Sequence, residues 1–159
     1  MKLTHYNTFP AELENEWNDL LQRSYANYPF MRFGYLRDWW GSLGGGEWQD
    51  GELVLITGSK DEKLAAVAPL FLTKNADGKN VLMLVGSFEV SDFLDIIVSI
   101  DDLSEFVRDL LIYLPEHVKG WDGINVYNLL DSSPSIAALE SAAETAGWKT
   151  SLTTLQPSP

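Results

Sequence analysis

Residues 92–104 read D-F-L-D-I-I-V-S-I-D-D-L-S, and they decide the fold because a buried strand gives way to a helix within them. The run F-L-D-I-I-V predicts a strand, and the apolar spacing from Leu103 onward predicts a helix. A helix that begins just after a strand directs its free N–H groups to a place where many α/β proteins bind phosphate. This junction carries Asp101 and Asp102, so its predicted geometry favours an anion while its charge repels one.

The helix after this junction has clear start and stop signals. Asp102 is the predicted N-cap, Glu105 completes a capping box three residues later, and Pro115 is expected to close the helix. Its predicted buried stripe consists of Leu103, Phe106, Val107, Leu110, Leu111 and Leu114.

The segment before the junction predicts two helices followed by a sheet. Residues 3–6 suit an edge strand, and two amphipathic helices follow, ending before Tyr28 and at the glycine triplet 44–46. Four short apolar runs then predict an antiparallel meander, because hairpin-type turns join the first three of them. These predicted strands are residues 52–58, 63–73, 81–86 and 93–98.

The segment after the junction predicts two more strands and one more helix. Residues 120–130 suit a strand, a helix begins at Ser133-Pro134 and ends at Gly147, and residues 148–155 suit a last strand. The predicted order is β-α-α-β-β-β-β-α-β-α-β. It describes one α/β (α+β) domain over residues 1–159, with a mixed, largely antiparallel sheet and helices on both of its faces.

The composition restricts the possible functions. The 159 residues include 23 acidic and 11 basic ones, for a net charge of −12, which disfavours nucleic acid and anionic membranes as partners. The charge serves solubility or attracts a cationic substrate or partner. No cysteine and only two histidines are present, which excludes disulfides and thiolate or histidine-rich metal sites. The sequence lacks a secretory signal and an apolar run long enough to span a membrane, so we expect a cytoplasmic protein.

Three stretches carry a resemblance to a known family. They are P-F-M-R-F-G-Y-L-R-D-W-W at 29–40, A-A-V-A-P-L-F-L at 65–72 and G-S-F-E-V-S-D-F-L-D-I-I-V at 86–98. In this order and spacing they resemble the CelD-like and FemAB-like group of GNAT acyltransferases, often called cellulose-biosynthesis acetyltransferases. The resemblance implies a GNAT fold and, for the full-length family, acetyl-CoA or another acyl-CoA as donor. Because such proteins usually have two GNAT-like halves, it also implies an N-terminal half whose partner is a second half or another copy.

The chain departs from this family at the junction described first. A working GNAT half carries a Q/R-x-x-G-x-G/A turn there, whose backbone N–H groups bind the coenzyme A pyrophosphate. The corresponding residues here are S-I-D-D-L-S-E-F at 99–106, with no glycine and two carboxylates. We therefore expect that this chain alone does not hold coenzyme A in the usual way.

Carboxylates near the end of the third and the start of the fourth run of the meander are candidates for catalysis. Glu89, Asp92 or Asp95 could serve as the base that deprotonates an attacking amine. Asp95 lies within an apolar run, so it needs a partner or a raised pKa, and a purely structural carboxylate is the alternative interpretation.

Aromatic residues and an arginine near the second helix are candidates for binding the acceptor. Trp39 and Trp40 have the spacing of a core stripe, which is the alternative to a ligand pocket. Arg32 could hold an anionic group of a substrate or form a surface ion pair. The full predicted substrate set is Phe30, Arg32, Tyr35, Trp39 and Trp40.

Three functions follow as hypotheses. The first is a degenerate GNAT-like domain that contributes a scaffold and an acceptor cleft for a small amine or cationic acceptor. The second is a complete small acetyl-CoA-dependent N-acetyltransferase with a non-standard donor site. The third is a non-enzymatic protein-interaction domain.

Overall fold

The structure is a computed structural model that describes residues 1–86 and 91–154. Short 3-10 turns at Ala11–Leu13 and Pro29–Met31 precede the first and second helices. In chain order the elements are β1 (Lys2–Tyr6), α1 (Glu14–Arg23), α2 (Phe33–Gly46), β2 (Glu52–Lys60), β3 (Lys63–Lys74), β4 (Asn80–Leu84), β5 (Ile97–Val98), α3 (Ile100–His117), β6 (Gly123–Asn125) and α4 (Pro134–Thr145).

One mixed sheet organises these elements. Its strand order is β1-β2-β3-β4-β6, and β5 pairs with β3 beside this path. The pairs are antiparallel except β4 with β6, which is parallel because α3 carries the chain from one end of the sheet to the other. Six consecutive residues of β2 are buried, so both faces of the sheet are covered there. The predicted fold class, α/β with a largely antiparallel sheet, is confirmed.

The predicted four-strand meander is wrong at its fourth strand. Of residues 93–98 only Ile97 and Val98 form a strand, and they pair with Val67 and Ala66 of β3, not with β4. The reason is the length of β3: β4 pairs with Leu70–Lys74 alone, which leaves the rest of the same edge free for β5. Two short strands therefore share one edge of β3, and the described residues of the connection between them are 85–86 and 91–96.

The predicted cap of α3 is also wrong. Ser99 is the N-cap, and its Oγ accepts a hydrogen bond from the Asp102 backbone N–H at 3.3 Å. Asp102 lies within the first turn and accepts from the Ser99 hydroxyl at 3.1 Å, so the box joins these two residues and leaves Glu105 out. The helix also continues past Pro115, because the Val118 N–H still bonds to the Leu114 carbonyl at 2.9 Å.

The last predicted strand does not form in the described part of its range, residues 148–154. The preceding strand is likewise shortened from residues 120–130 to Gly123–Asn125. Strand formation depends on a paired neighbour, and β6 leaves β4 after three residues. Residues 149–154 are exposed, and no further backbone pairing makes a strand of either segment within its described residues.

Other sequence predictions about the helices are confirmed. Helix α4 begins at Pro134 after the N-cap Ser133, and Gly147 at φ +76° follows its end. Trp39 is 5% exposed and belongs to the core, as its spacing predicted. No helix among the described residues is long and apolar enough to cross a membrane.

Gly86 lies in the connection between β4 and β5, two residues after β4 ends, and its backbone conformation requires glycine. Its φ is +106°, and a Cβ there would lie 2.7 Å from Leu94 Cδ2. We predict that Gly86→Ala lowers the free energy of unfolding by about 2–4 kcal/mol, because backbone strain adds to a steric clash in the core. Urea denaturation followed by circular dichroism measures this loss.

Gly78→Ala is the matched control that measures the cost of backbone strain alone. Gly78 also has a positive φ, +75°, but a Cβ there would meet no atom within 4 Å. We expect a loss of about 1 kcal/mol from strain only. Equal losses for the two variants would contradict a packing constraint at Gly86.

Candidate functional site

A wide cleft lies beside β6, at the end of the sheet. It is an open groove of about 1440 Å³. Strand β6 and the residues after it line one side, the facing surfaces of α3 and α4 line another, and residues 148–154 run along it. The residues that carry its chemistry are Asp92, Phe93, Trp121, Asp122, Tyr127, Asp131, Glu140, Trp148 and Lys149.

The groove is acidic at its rim and aromatic inside. Four carboxylates line it against one ammonium group, that of Lys149. Two indole rings, Trp121 and Trp148, pack against each other at a tilt of 54°, with centroids 5.6 Å apart. Carboxylates attract cations, and aromatic faces bind the same charge through cation–π contact. The groove therefore suits a cationic ligand with apolar parts.

A buried carboxylate cluster is centred on Asp95, three residues after Asp92 of the groove. Asp95 is fully buried, and its two oxygens accept hydrogen bonds from the hydroxyls of Ser133 and Ser135, each at 2.5 Å. Its Oδ1 also accepts from the Ile96 N–H at 2.7 Å. The Ser135 hydroxyl donates its hydrogen bond to Asp95, so the Tyr25 hydroxyl is the donor to Ser135 Oγ at 2.6 Å. The cluster joins β5, the start of α4 and the end of α1.

Burial sets the protonation behaviour of this cluster. Desolvation raises the pKa of Asp95, and the hydrogen bonds from Ser133 and Ser135 oppose that rise. Burial also raises the pKa of Tyr25, with the nearby Asp95 charge adding to the effect. The prediction that Asp95 needs a partner or a raised pKa is confirmed, since the structure gives it both.

The three predicted catalytic carboxylates occupy different environments. Glu89 lies outside the described residues. Asp92 is exposed and lines the groove, so a ligand there can reach it. Asp95 is enclosed and does not line the groove, and its contacts are those of a carboxylate that holds the fold together. Of the described pair, Asp92 alone is placed to act on a bound ligand.

Four of the five predicted substrate residues form two pairs outside the groove. Phe30 and Tyr35 pack edge to face at 5.5 Å, and the Tyr35 hydroxyl bonds to Ser91 Oγ at 3.0 Å, beside Asp92. Trp39 and Trp40 instead pack on Phe71, with centroids 5.5 and 5.9 Å from its ring.

Arg32 occupies a third place. It is exposed and lines a small surface pocket of about 80 Å³ with Asn18, Leu21, Gln22 and Asn27. The structure thus places Arg32 in neither the groove nor the aromatic pairs.

The start of α3 does not fit a coenzyme A pyrophosphate. The Asp102 N–H is already bonded to Ser99, and Asp101 and Asp102 put two carboxylates in the first turn. The nearest cation, Lys60, is paired with Asp102 Oδ1 at 2.5 Å and with Glu105 Oε2 at 2.7 Å. The ammonium groups of Lys60 and of the Met1 N-terminus lower the pKa of Glu105 to about 2. The Asp102 N–H and the positive charge of Lys60, both of which would help to hold a diphosphate, are therefore used within the protein.

Sequence reasoning missed most of the groove. Trp121, Tyr127 and Trp148 lie in segments predicted as strands, and Glu140 lies in the fourth predicted helix without a predicted role. Aromatic residues are no denser between 121 and 148 than in the rest of the chain, so no local signal marks the groove. Their convergence depends on how α4 folds back beside β6, and no sequence spacing specifies that.

Comparisons with known proteins inform on the fold. No protein-family model matches the sequence, and no match is found among curated proteins. The crystal structure of a probable acetyltransferase is similar, with a TM-score of 0.56 and 14% identity over 100% of this chain and 99% of that chain. A glucosamine-6-phosphate N-acetyltransferase from Arabidopsis thaliana has a TM-score of 0.49 and 15% identity, over 100% of this chain and 98% of that chain. An aminoglycoside 6'-N-acetyltransferase from Acinetobacter haemolyticus has a TM-score of 0.46 and 9% identity, over 100% of this chain and 98% of that chain.

At these identities the likeness concerns the fold alone. The first of these structures supports the GNAT acyltransferase fold that the resemblance implied. The narrower CelD-like or FemAB-like grouping and the N-terminal-half interpretation stay predictions.

Asp95 should make stability depend on pH. Because its folded-state pKa is raised, the native state binds more protons than the unfolded state above about pH 4, and stability falls as pH rises through that window. Asp95→Asn keeps the shape without the charge. We predict that urea denaturation between pH 4 and 7 will show the variant gaining stability relative to the unmodified protein as pH rises.

Asp95→Ala serves as the control for the hydrogen bonds. It leaves two buried hydroxyls and the Ile96 N–H without an acceptor, at a cost of about 3 kcal/mol or more. A stability difference for Asp95→Asn that does not change with pH would contradict a buried, titrating carboxylate.

Removing the charges at the start of α3 should open it to phosphates. We predict that the double variant Asp101→Asn, Asp102→Asn binds inorganic pyrophosphate about tenfold more tightly, because two repulsive charges are removed and Lys60 loses a partner. Isothermal titration measures the affinity, with the exposed Asp77→Asn as the control. No gain would mean that side-chain bulk, not charge, closes this turn.

Proposed function

We propose that this chain is a GNAT-like acyltransferase domain whose groove beside β6 receives a cationic, amine-bearing acceptor. The observation that carries the proposal is the acidic, aromatic groove of about 1440 Å³ on a sheet of the acyltransferase type. A positively charged amine is attracted by Asp92, Asp131 and Glu140 and can lie against the aromatic rings. The net charge of −12 acts in the same direction.

Asp92 is the residue we propose as general base. An amine must lose a proton to become a nucleophile, and a carboxylate beside it can accept that proton directly or through water. Asp92 is exposed in the groove and follows Ser91, which the Tyr35 hydroxyl holds in place.

Two versions of this function differ in whether the chain also binds the acyl donor. A complete small acetyltransferase is favoured by the comparison, since the probable acetyltransferase is covered over 99% of its length by a chain of this size. Its donor site would lie elsewhere than at α3, whose first turn holds two carboxylates. The second version, a degenerate domain that supplies only the acceptor cleft, is favoured by the two carboxylates in the first turn of α3. Titration with acetyl-CoA separates them: saturable binding supports the first version, and its absence supports the second.

Substitution of the proposed base provides the kinetic test. Amines are screened with acetyl-CoA as donor, and Asp92→Asn is compared on any amine that reacts. We predict that kcat/KM falls by at least about 100-fold, because the variant cannot accept the proton. Asp77→Asn, in the turn between β3 and β4, is the control and should leave the rate unchanged.

Activity that survives Asp92→Asn at its full rate would contradict the role of Asp92. Failure of every amine to react, together with failure of cationic amines to bind, would contradict the proposed function as a whole. Binding of amines without turnover would leave the degenerate version standing and reject the complete enzyme.

A further inference from the structure

The segment that carries Asp92 is fastened at both ends by one residue, Asn128. The side-chain amide of Asn128 donates to the Ser91 carbonyl at 2.5 Å, and the Leu94 N–H donates to the Asn128 carbonyl at 3.0 Å. Ser91 and Leu94 are buried, whereas Asp92 between them is exposed. The two hydrogen bonds therefore hold the ends of a short segment whose middle lines the groove.

The middle of this segment has few other attachments. Neither Asp92 nor Phe93 makes a backbone hydrogen bond to another described residue. The Phe93 ring packs on the ring of Tyr28 with centroids 5.8 Å apart, and the Ser91 hydroxyl bonds to the hydroxyl of Tyr35. Both of these are contacts between side chains, so the path of the backbone depends on the two hydrogen bonds described above.

The backbone of Asn128 lies in the left-handed region, which narrows the residue types that fit there. Its φ is +63°. Glycine, asparagine and aspartate adopt this conformation most readily. Of these three, asparagine alone has a side-chain N–H that can donate to a carbonyl. Asparagine thus meets both requirements of the position, a left-handed backbone and a donor for the Ser91 carbonyl.

The location of Asn128 distinguishes it from the other described non-glycine residues with positive φ. Asp61 and Glu62 turn the chain between β2 and β3, and Leu43 lies near the end of α2. Asn128 lies between β6 and α4 and itself lines the groove. A strained backbone beside a binding surface is an observation from which a functional role can be inferred.

The position of a general base affects proton transfer more than it affects binding. The base must come within about 2.6–3.2 Å of the atom whose proton it accepts. A displacement of about 1 Å can slow a reaction roughly 100-fold. The attraction between a carboxylate and an amine cation falls only with the inverse of their distance. A residue that holds Asp92 in place is therefore expected to act on turnover and not on affinity.

We propose that Asn128 is a positioning residue, which holds the segment from Ser91 to Leu94 so that the Asp92 carboxylate meets the amine in the groove. The catalytic part of this inference rests on the proposed function, whereas the holding of the segment does not. Asn128 acts through Asp92 and transfers no proton itself.

Hydrogen exchange measures the holding of the segment without any substrate. In Asn128→Gly the left-handed backbone and its carbonyl remain, and only the side-chain donor is lost. We expect the Leu94 N–H to exchange about tenfold faster by NMR, because the opened segment gives up one hydrogen bond fewer. Asn128→Asp also suits the backbone but cannot donate, so it should give the same direction of change.

Asn75→Gly is the matched control, because it too replaces an asparagine whose side chain fixes the local backbone. The Asn75 Oδ1 accepts from the N–H groups of Asp77 and Lys79, each at 3.0 Å, in the turn between β3 and β4. This turn lies outside the groove lining and stays intact when the segment around Asp92 opens. The variant should therefore leave the exchange rate of the Leu94 N–H unchanged.

A mutant cycle measures the catalytic part on any amine that reacts with acetyl-CoA. Asn128→Gly should lower kcat about tenfold and change KM for the amine by less than about twofold. In the Asp92→Asn background the same substitution should have no further effect, because the carboxylate that it positions is already gone. Asn75→Gly should leave both constants unchanged.

The outcomes distinguish this inference from the proposed function. Leu94 exchange that is unchanged in both Asn128 variants, or that rises equally in Asn75→Gly, would overturn the inference even if amines are acylated. An equal loss of kcat with and without the Asp92 carboxylate would also overturn it, because Asn128 would then act independently of Asp92. Faster exchange in both Asn128 variants, with no acylation of any amine, would support the holding of the segment and reject Asp92 as a base.

Discussion

The rest of the structure depends on the buried carboxylate of Asp95, which joins three separate parts of the chain. Through Ser133 and Ser135 it fixes the start of α4, through Ile96 it orders the approach to β5, and through Ser135 it reaches Tyr25 after α1. An ion of this kind is costly to bury unless each of its oxygens is satisfied. The need to satisfy it fixes where α4 lies, and α4 in turn forms one wall of the groove.

The same region of the structure accounts for the short pairing between β4 and β6. In the connection between β4 and β5, the Leu94 N–H donates to the Asn128 carbonyl at 3.0 Å. The chain after β6 is therefore tied to this connection instead of continuing along β4. The fold thus closes the phosphate-type turn at α3 with its own charges and opens an acidic groove at β6. Both features favour a cationic ligand over an anionic one.

Sequence reasoning recovered the elements better than their connections. The spacing of apolar residues, together with capping and helix-breaking residues, located four helices. The Ser133-Pro134 start of α4 was identified because its signals are local. The burial of Asp95 was also foreseen, since a carboxylate within an apolar run needs a partner. The fourth meander strand and the last strand were misplaced, because pairing depends on which edges are free in three dimensions. Ser99 was missed as the N-cap of α3 because Asp102, three residues later, is an equally good local candidate.

The sequence by itself determined the fold class, the helices, the excess of negative charge and the acidic turn at α3. Each of these follows from spacing or composition within a short window of residues. The tertiary structure alone decided that Asp92, Trp121, Trp148 and Glu140 share one groove and that Asp95 is enclosed. Those relations join residues as far apart as Asp92 and Trp148, or Tyr25 and Asp95, and they arise from packing and hydrogen bonding between elements, which local patterns do not specify.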